Sequence, residues 1–143
     1  MKEKITVTPE LLKNEFIKLY GENSNAIKMF ASPARINIIG EHIDYNGGKV
    51  FPAAIDKYLY VAIRKRNDNF INYNDLFFDG KFTFDINDNF VYKKENDYAN
   101  FLNGILSIIK RHGFVFPCGF DVLIASNVPS AGGISSSSAL ECG

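Results

Sequence analysis

The sequence is short of cysteine, of charge imbalance and of long apolar runs. Only two cysteines, Cys118 and Cys142, occur in 143 residues. A small domain stapled by disulfides needs more, so both thiols are expected to be free, in a reducing compartment. Sixteen basic side chains cancel sixteen acidic ones. That balance gives no support for wrapping nucleic acid or for lying on an anionic membrane. The one basic run, Arg64-Lys65-Arg66, reads as a solvated strand end, because basic side chains usually stay exposed. No stretch approaches the roughly 20 apolar residues that span a bilayer. The opening Met1-Lys2-Glu3-Lys4 leads into no apolar signal core. The cytoplasm is the expected location.

What is present suits one globular domain. Thirteen Phe and seven Tyr supply bulk for a core. Thr8, Pro9 and Glu10 form a helix start, with a cap, a residue preset for the first turn and an acid at the positive end of the dipole. Leu12, Phe16 and Leu19, flanked by Leu11 and Tyr20, recur at helical spacing, and Gly21 ends the run. Strand signals follow at 34–39, 58–63, 70–73 and 81–84, with Asn67-Asp68-Asn69 reading as a hairpin turn and Asp79-Gly80 as another turn. A second helix starts near Asp97, carries Phe101, Leu102, Ile105, Leu106, Ile108 and Ile109, and ends on Lys110-Arg111-His112 and Gly113. Residues 120–125 form a last strand. The sum is an α+β fold: an antiparallel sheet with packed helices.

Two segments concentrate chemistry. Residues 33–48 read PARINIIGEHIDYNGG and place Arg35, Asn37, Glu41, His42, Asp44 and Tyr45 within eleven positions. Taken singly, each has a structural explanation: an ion-pair partner, a loop histidine, acids that solvate a turn. Their density after a strand, before Asn46-Gly47-Gly48, points instead to one small polar concavity. Carboxylates and an imidazole read sugar hydroxyls, since a pair left unmade in a dry site is costly. An arginine beside them offsets charge that develops during phosphoryl transfer.

Residues 126–139 read SNVPSAGGISSSSA. A glycine pair after a strand lets backbone N–H groups approach an anion, and serines suit the helix N-terminus that follows. A flexible Gly/Ser linker is the alternative, but the segment joins an apolar strand to Ala139-Leu140-Glu141, a helix start. No Lys follows the glycines, so it is not GxxxxGK[ST], and it is not GxGxxG.

The first segment closely resembles the galactokinase signature, R-x-N-[LIV]-I-G-E-H-x-D-Y, with every core position matched. The second resembles the GHMP-kinase motif P-x-G-x-G-L-[GS]-S-S-[AS], with Ala131 at its first Gly and Ile134 at its Leu. NDYANFLNG, residues 96–104, is similar to the helix start found between the two. The resemblance runs from about Ala31 onward and implies the N-terminal lobe of a GHMP kinase (ribosomal protein S5 domain 2-like). It assigns Arg35 to transition-state stabilisation. It assigns Glu41, His42, Asp44 and Tyr45 to the sugar site. Ala131, Gly132, Gly133, Ile134, Ser135, Ser136 and Ser137 fall on the ATP phosphate loop, with Ser137 also on Mg²⁺. An ungapped alignment gives these loop positions; a one-residue gap would put Gly132 at the first Gly and shift the serines. The adenine pocket is not assignable from the sequence; Tyr73-Asn74-Asp75 is a candidate for its border.

The reaction implied is transfer of the ATP γ-phosphoryl group to the C1 hydroxyl of α-D-galactose, giving galactose 1-phosphate. A kinase for N-acetylgalactosamine or another small alcohol, and a non-catalytic galactose and ATP sensor, are the alternatives. In the family the catalytic Asp and a second Mg²⁺-binding acid lie C-terminal to the Ser-rich motif. Residues 1–143 are thus expected to form an incomplete N-terminal lobe, inactive alone, on which an absent C-terminal GHMP domain packs.

Overall fold

The computed structural model describes residues 6–40, 42–128 and 140, with Asp44 described by its backbone only. Helix α1, Pro9–Tyr20, opens as its sequence dictates: the Thr8 hydroxyl accepts a hydrogen bond from Leu11 N at 3.2 Å, and Pro9 holds the first turn. Gly21 closes it at φ 74°. Leu12 and Phe16 are fully buried.

Strands β1, Lys28–Ile39, and β2, Phe51–Lys65, pair antiparallel and are longer than their apolar cores suggest. Strands β3, Phe70–Asp75, and β4, Lys81–Asp85, form a second antiparallel pair. Helix α2, Ala99–Arg111, leads back to β5, Phe120–Ser126. The sheet order is β1-β2-β5-β3-β4. Strand β5 is antiparallel to β2 and parallel to β3, so the α+β class stands with one parallel pair inside an antiparallel sheet. That pair needs a long crossover, which β4 and α2 supply.

The turn at 67–69 therefore joins strands that are not neighbours. Strand β5 enters between them, and the turn is stitched to it: Arg66 N donates to Gly119 O at 2.9 Å and Gly119 N to Asp68 O at 2.6 Å. A hairpin reading failed here because the partner that splits the pair comes some fifty residues later.

Alternation along β5 builds a core on each face. Leu123 and Ala125 meet Leu12, Phe16 and Ala62 under α1. Val122 and Ile124 meet Tyr73 and Ala99 under α2, where Leu140 also packs. Ile71, Ile86, Phe90 and Leu106 form a third cluster. On α2 the buried seam is Ala99, Asn103 and Leu106, whereas Phe101 and Ile108 are exposed.

The basic run also departs from expectation. Lys65 is exposed, but Arg64 is 3% exposed. Its guanidinium donates to Gly21 O at 2.7 Å, Tyr20 O at 3.2 Å and Asp121 Oδ2 at 3.1 Å, and lies over the Phe16 ring. A cation at the carbonyl end of α1 is favoured by the helix dipole. Sequence periodicity could not show that β5 brings an acid, Asp121, beneath it.

Candidate functional site: a strand-end loop

The signature segment straddles the end of β1 and the loop into β2. Arg35 and Asn37 sit on β1, two residues apart and both half-buried. Two register irregularities frame them, one between Pro33 and Arg35 and one between Asn37 and Ile39. Such breaks re-aim side chains and are common beside functional sites. Neither residue lacks a partner.

Beyond β1 the chain makes a tight loop. Gly40 has φ 98°, and a Cβ there would meet Lys49 O at 2.7 Å, so only glycine fits where the two ends of the loop cross. Ile43 O accepts from Asn46 N at 3.2 Å and from Gly48 N at 2.8 Å, closing a short 3₁₀ turn at Asp44–Asn46. A Cβ on Gly48 would press to 3.0 Å against Ile43. His42 takes a left-handed conformation, φ 58°, and Asn46 Nδ2 donates to its carbonyl at 3.3 Å. The loop thereby brings the His42 and Tyr45 rings to a centroid separation of 6.2 Å, edge on.

Both rings face solvent, Tyr45 at 72% exposure, and so do Ile38, Ile39 and Phe51 around them. The result is a polar tip in an open apolar collar. Hydroxyl-reading groups gain most when water is excluded, and the described residues leave this side open.

The structure thus places Arg35 on the strand and brings His42 and Tyr45 together. Asp44 lies in the 3₁₀ turn by its backbone. Glu41 and the whole phosphate-loop assignment, Ala131, Gly132, Gly133, Ile134, Ser135, Ser136 and Ser137, lie outside the described residues. Among the described residues no group of three His, Cys, Asp or Glu is placed to hold a metal.

The stretch Tyr73-Asn74-Asp75 is occupied with structure. Tyr73 is buried under α2 against the Tyr98 ring. The Asn74 amide accepts from Tyr20 Oη at 2.7 Å and donates to Gly80 O at 3.0 Å. Asp75 accepts from Phe77 N and Phe78 N, and burial raises its carboxyl above the usual range. Asn74 and Asp75 line an open groove between α1 and the β3–β4 hairpin.

The chain is similar to known proteins along most of its length. Residues 14–65 match the galactokinase galactose-binding signature, and residues 100–143 match the N-terminal domain of GHMP kinases. A galactokinase of Clostridium beijerinckii is 39% identical over 133 residues, 92% of this chain and 33% of its own length. That of Bacillus subtilis is 38% identical over 133 residues, 92% of this chain and 34% of its own. The solved Lactococcus lactis galactokinase complexed with galactose superposes with a TM-score of 0.84 at 36% identity, covering 92% of this chain and 34% of that one. A Methanococcus jannaschii mevalonate kinase, TM-score 0.70 at 18% identity, covering 85% of this chain and 39% of that one, shares the fold. The chain spans about a third of the length of the curated relatives it matches. On its signature, its fold and these relatives, the chain is similar to the N-terminal third of galactokinases and shares the fold of the GHMP-kinase N-terminal domain.

Proposed function

We propose that the protein carrying this chain transfers the γ-phosphoryl group of ATP to the C1 hydroxyl of α-D-galactose. The observation that carries the reading is the loop after β1, whose glycine crossing and 3₁₀ turn bring the His42 and Tyr45 rings together at an exposed edge. In this reading Glu41, His42 and Asp44 read the sugar hydroxyls, with Tyr45 beside them. Arg35, fixed on a strand, offsets negative charge as the phosphoryl group leaves ATP. Positioning on rigid elements is most of what such a transfer needs.

The nucleotide falls to residues 131–137, whose glycines and serines are the residue types that suit phosphate binding by backbone N–H groups. Mg²⁺ would neutralise triphosphate charge. A single hydroxyl ligand, Ser137, suits a cation that keeps waters and phosphate oxygens in its shell. The general base lies outside this chain, and a second lobe, present in the longer relatives, covers the apolar collar. The two cysteines suit the cytoplasm as the compartment.

The test is a sugar panel with the full-length protein. Galactose is expected to exceed glucose in kcat/KM by about a hundredfold, since an inverted hydroxyl leaves buried partners unpaired at ~1–3 kcal/mol each. Comparable values for the two sugars would remove the proposal. Preference for N-acetylgalactosamine would move it to a sister substrate. Binding without turnover would make the protein a sensor.

A further inference from the structure

Strand β5 ends in an unusual way. Up to Ser126 it pairs with β2 backbone to backbone, Ser126 opposite Leu59. The next rung is half side chain. Asn127 N donates to Tyr58 O at 3.1 Å, but the return bond from Tyr58 N goes to Asn127 Oδ1 at 2.6 Å. One residue on, Val128 N donates to Ser126 Oγ at 3.0 Å. Two side-chain oxygens thus stand in for backbone carbonyls. Short polar side chains compete with the ladder in this way. Strand β2 keeps its hydrogen bond while the backbone of β5 is released from the sheet at one defined residue. Val128, buried, pins the exit.

The residues that follow are the Gly/Ser segment. Glycines have no side chains to anchor them, so the origin of such a segment is set by whatever holds the residue before it. From this we propose that Asn127 is a positioning residue for nucleotide binding. Its side-chain carbonyl fixes the point and direction at which the chain leaves the sheet for the phosphate loop. The proposal rests on reading residues 131–137 as that loop. It does not involve the sugar segment, which lies on the β1–β2 loop.

The test uses the full-length protein and titrations with a non-hydrolysable ATP analogue plus Mg²⁺ and, separately, with galactose. Asn127→Leu keeps the size of the side chain and removes the acceptor. It is expected to weaken the ATP analogue about tenfold, as loss of one hydrogen bond allows. Galactose affinity should stay close to that of the parent, and the melting temperature should fall by only a few degrees, since Tyr58 N loses its acceptor. Asn127→Asp, which keeps the acceptor, should retain the parent's melting temperature and galactose affinity, showing that the position tolerates replacement. An Asn127→Leu protein with unchanged ATP affinity would overturn the proposal, as would equal losses for both ligands, which is the signature of general destabilisation. A parent that binds galactose but no nucleotide would instead overturn the reading of 131–137 on which the proposal stands.

Discussion

Replacing Asp121 with Ala should cost a large share of the fold's stability. Asp121 is 2% exposed and ties together four elements. Its Oδ1 accepts from Arg66 Nη1 on the β2–β3 turn at 2.7 Å and from Asn72 Nδ2 on β3 at 2.9 Å. Its Oδ2 accepts from Arg64 at 3.1 Å, and Arg64 in turn holds the last carbonyls of α1. Without the carboxylate, the Arg64 guanidinium stays buried against carbonyls and the Phe16 ring with its charge uncompensated. Breaking such a pair costs ~3–5 kcal/mol, against a total of ~5–15 kcal/mol for a domain. In urea, at ~2 kcal/mol per molar, the unfolding midpoint should fall by about 2 M. The double variant Arg64→Met with Asp121→Leu removes both buried charges and should recover most of the loss, since Arg66 keeps Asp68. Urea unfolding followed by far-UV circular dichroism reads both. An Asp121→Ala midpoint within about 0.5 M of the parent would show that the buried Arg64 does not depend on this carboxylate.

Three further outcomes follow from the same structure. Arg35→Ala in the full-length protein should lower kcat more than it raises the galactose KM, with Arg35→Lys rescuing only in part, because charge grows in the transition state and a point charge does not replace a fork; steady-state kinetics checks it, and an unchanged kcat would make the residue structural. Asn103 is 2% exposed on the inner seam of α2, and its Oδ1 has no hydrogen-bond partner among the described residues; Asn103→Leu should raise stability by about 1–3 kcal/mol, read as a higher melting temperature. Burial raises the Asp75 carboxyl. The folded state therefore holds that proton more tightly than the unfolded chain does, and the carboxylate costs stability above its folded pKa. Asp75→Asn, which still accepts from Phe77 N and Phe78 N, should be more stable than the parent at neutral pH, and the difference should vanish once the medium is acid enough to protonate Asp75 in both states.

Local signals were legible in the sequence and long-range ones were not. The Thr8 cap, the Gly21 stop and the Leu12–Phe16 stripe are written within a few residues, and each appears where it was expected. The Gly47-Gly48 end of the signature likewise reads directly as a tight loop. The splitting of β2 and β3 by β5 depends on pairing across some fifty residues, which no local turn rule contains. Arg64 looked solvated because its acid lies 57 positions away. Phe101 and Ile108 looked like core because they are apolar at helical spacing, yet the buried seam runs through Ala99 and Asn103, where small side chains let the helix approach the sheet. At the candidate site, motif identity singled out Arg35, His42 and Tyr45. The edge-on approach of the two rings required the backbone of the loop. Asn127 drew no notice because an Asn before Val-Pro reads only as a turn former.

The most direct test of the central claim is the chemical identity of the product. The full-length protein would be incubated with ATP, Mg²⁺ and ¹³C-labelled galactose and followed by ³¹P and ¹³C NMR. A new phosphate resonance coupled to the anomeric proton and carbon of the α-sugar is expected, growing one for one with ADP. Phosphate attached at another carbon, or ATP hydrolysed to free phosphate with the sugar unchanged, would contradict the central claim.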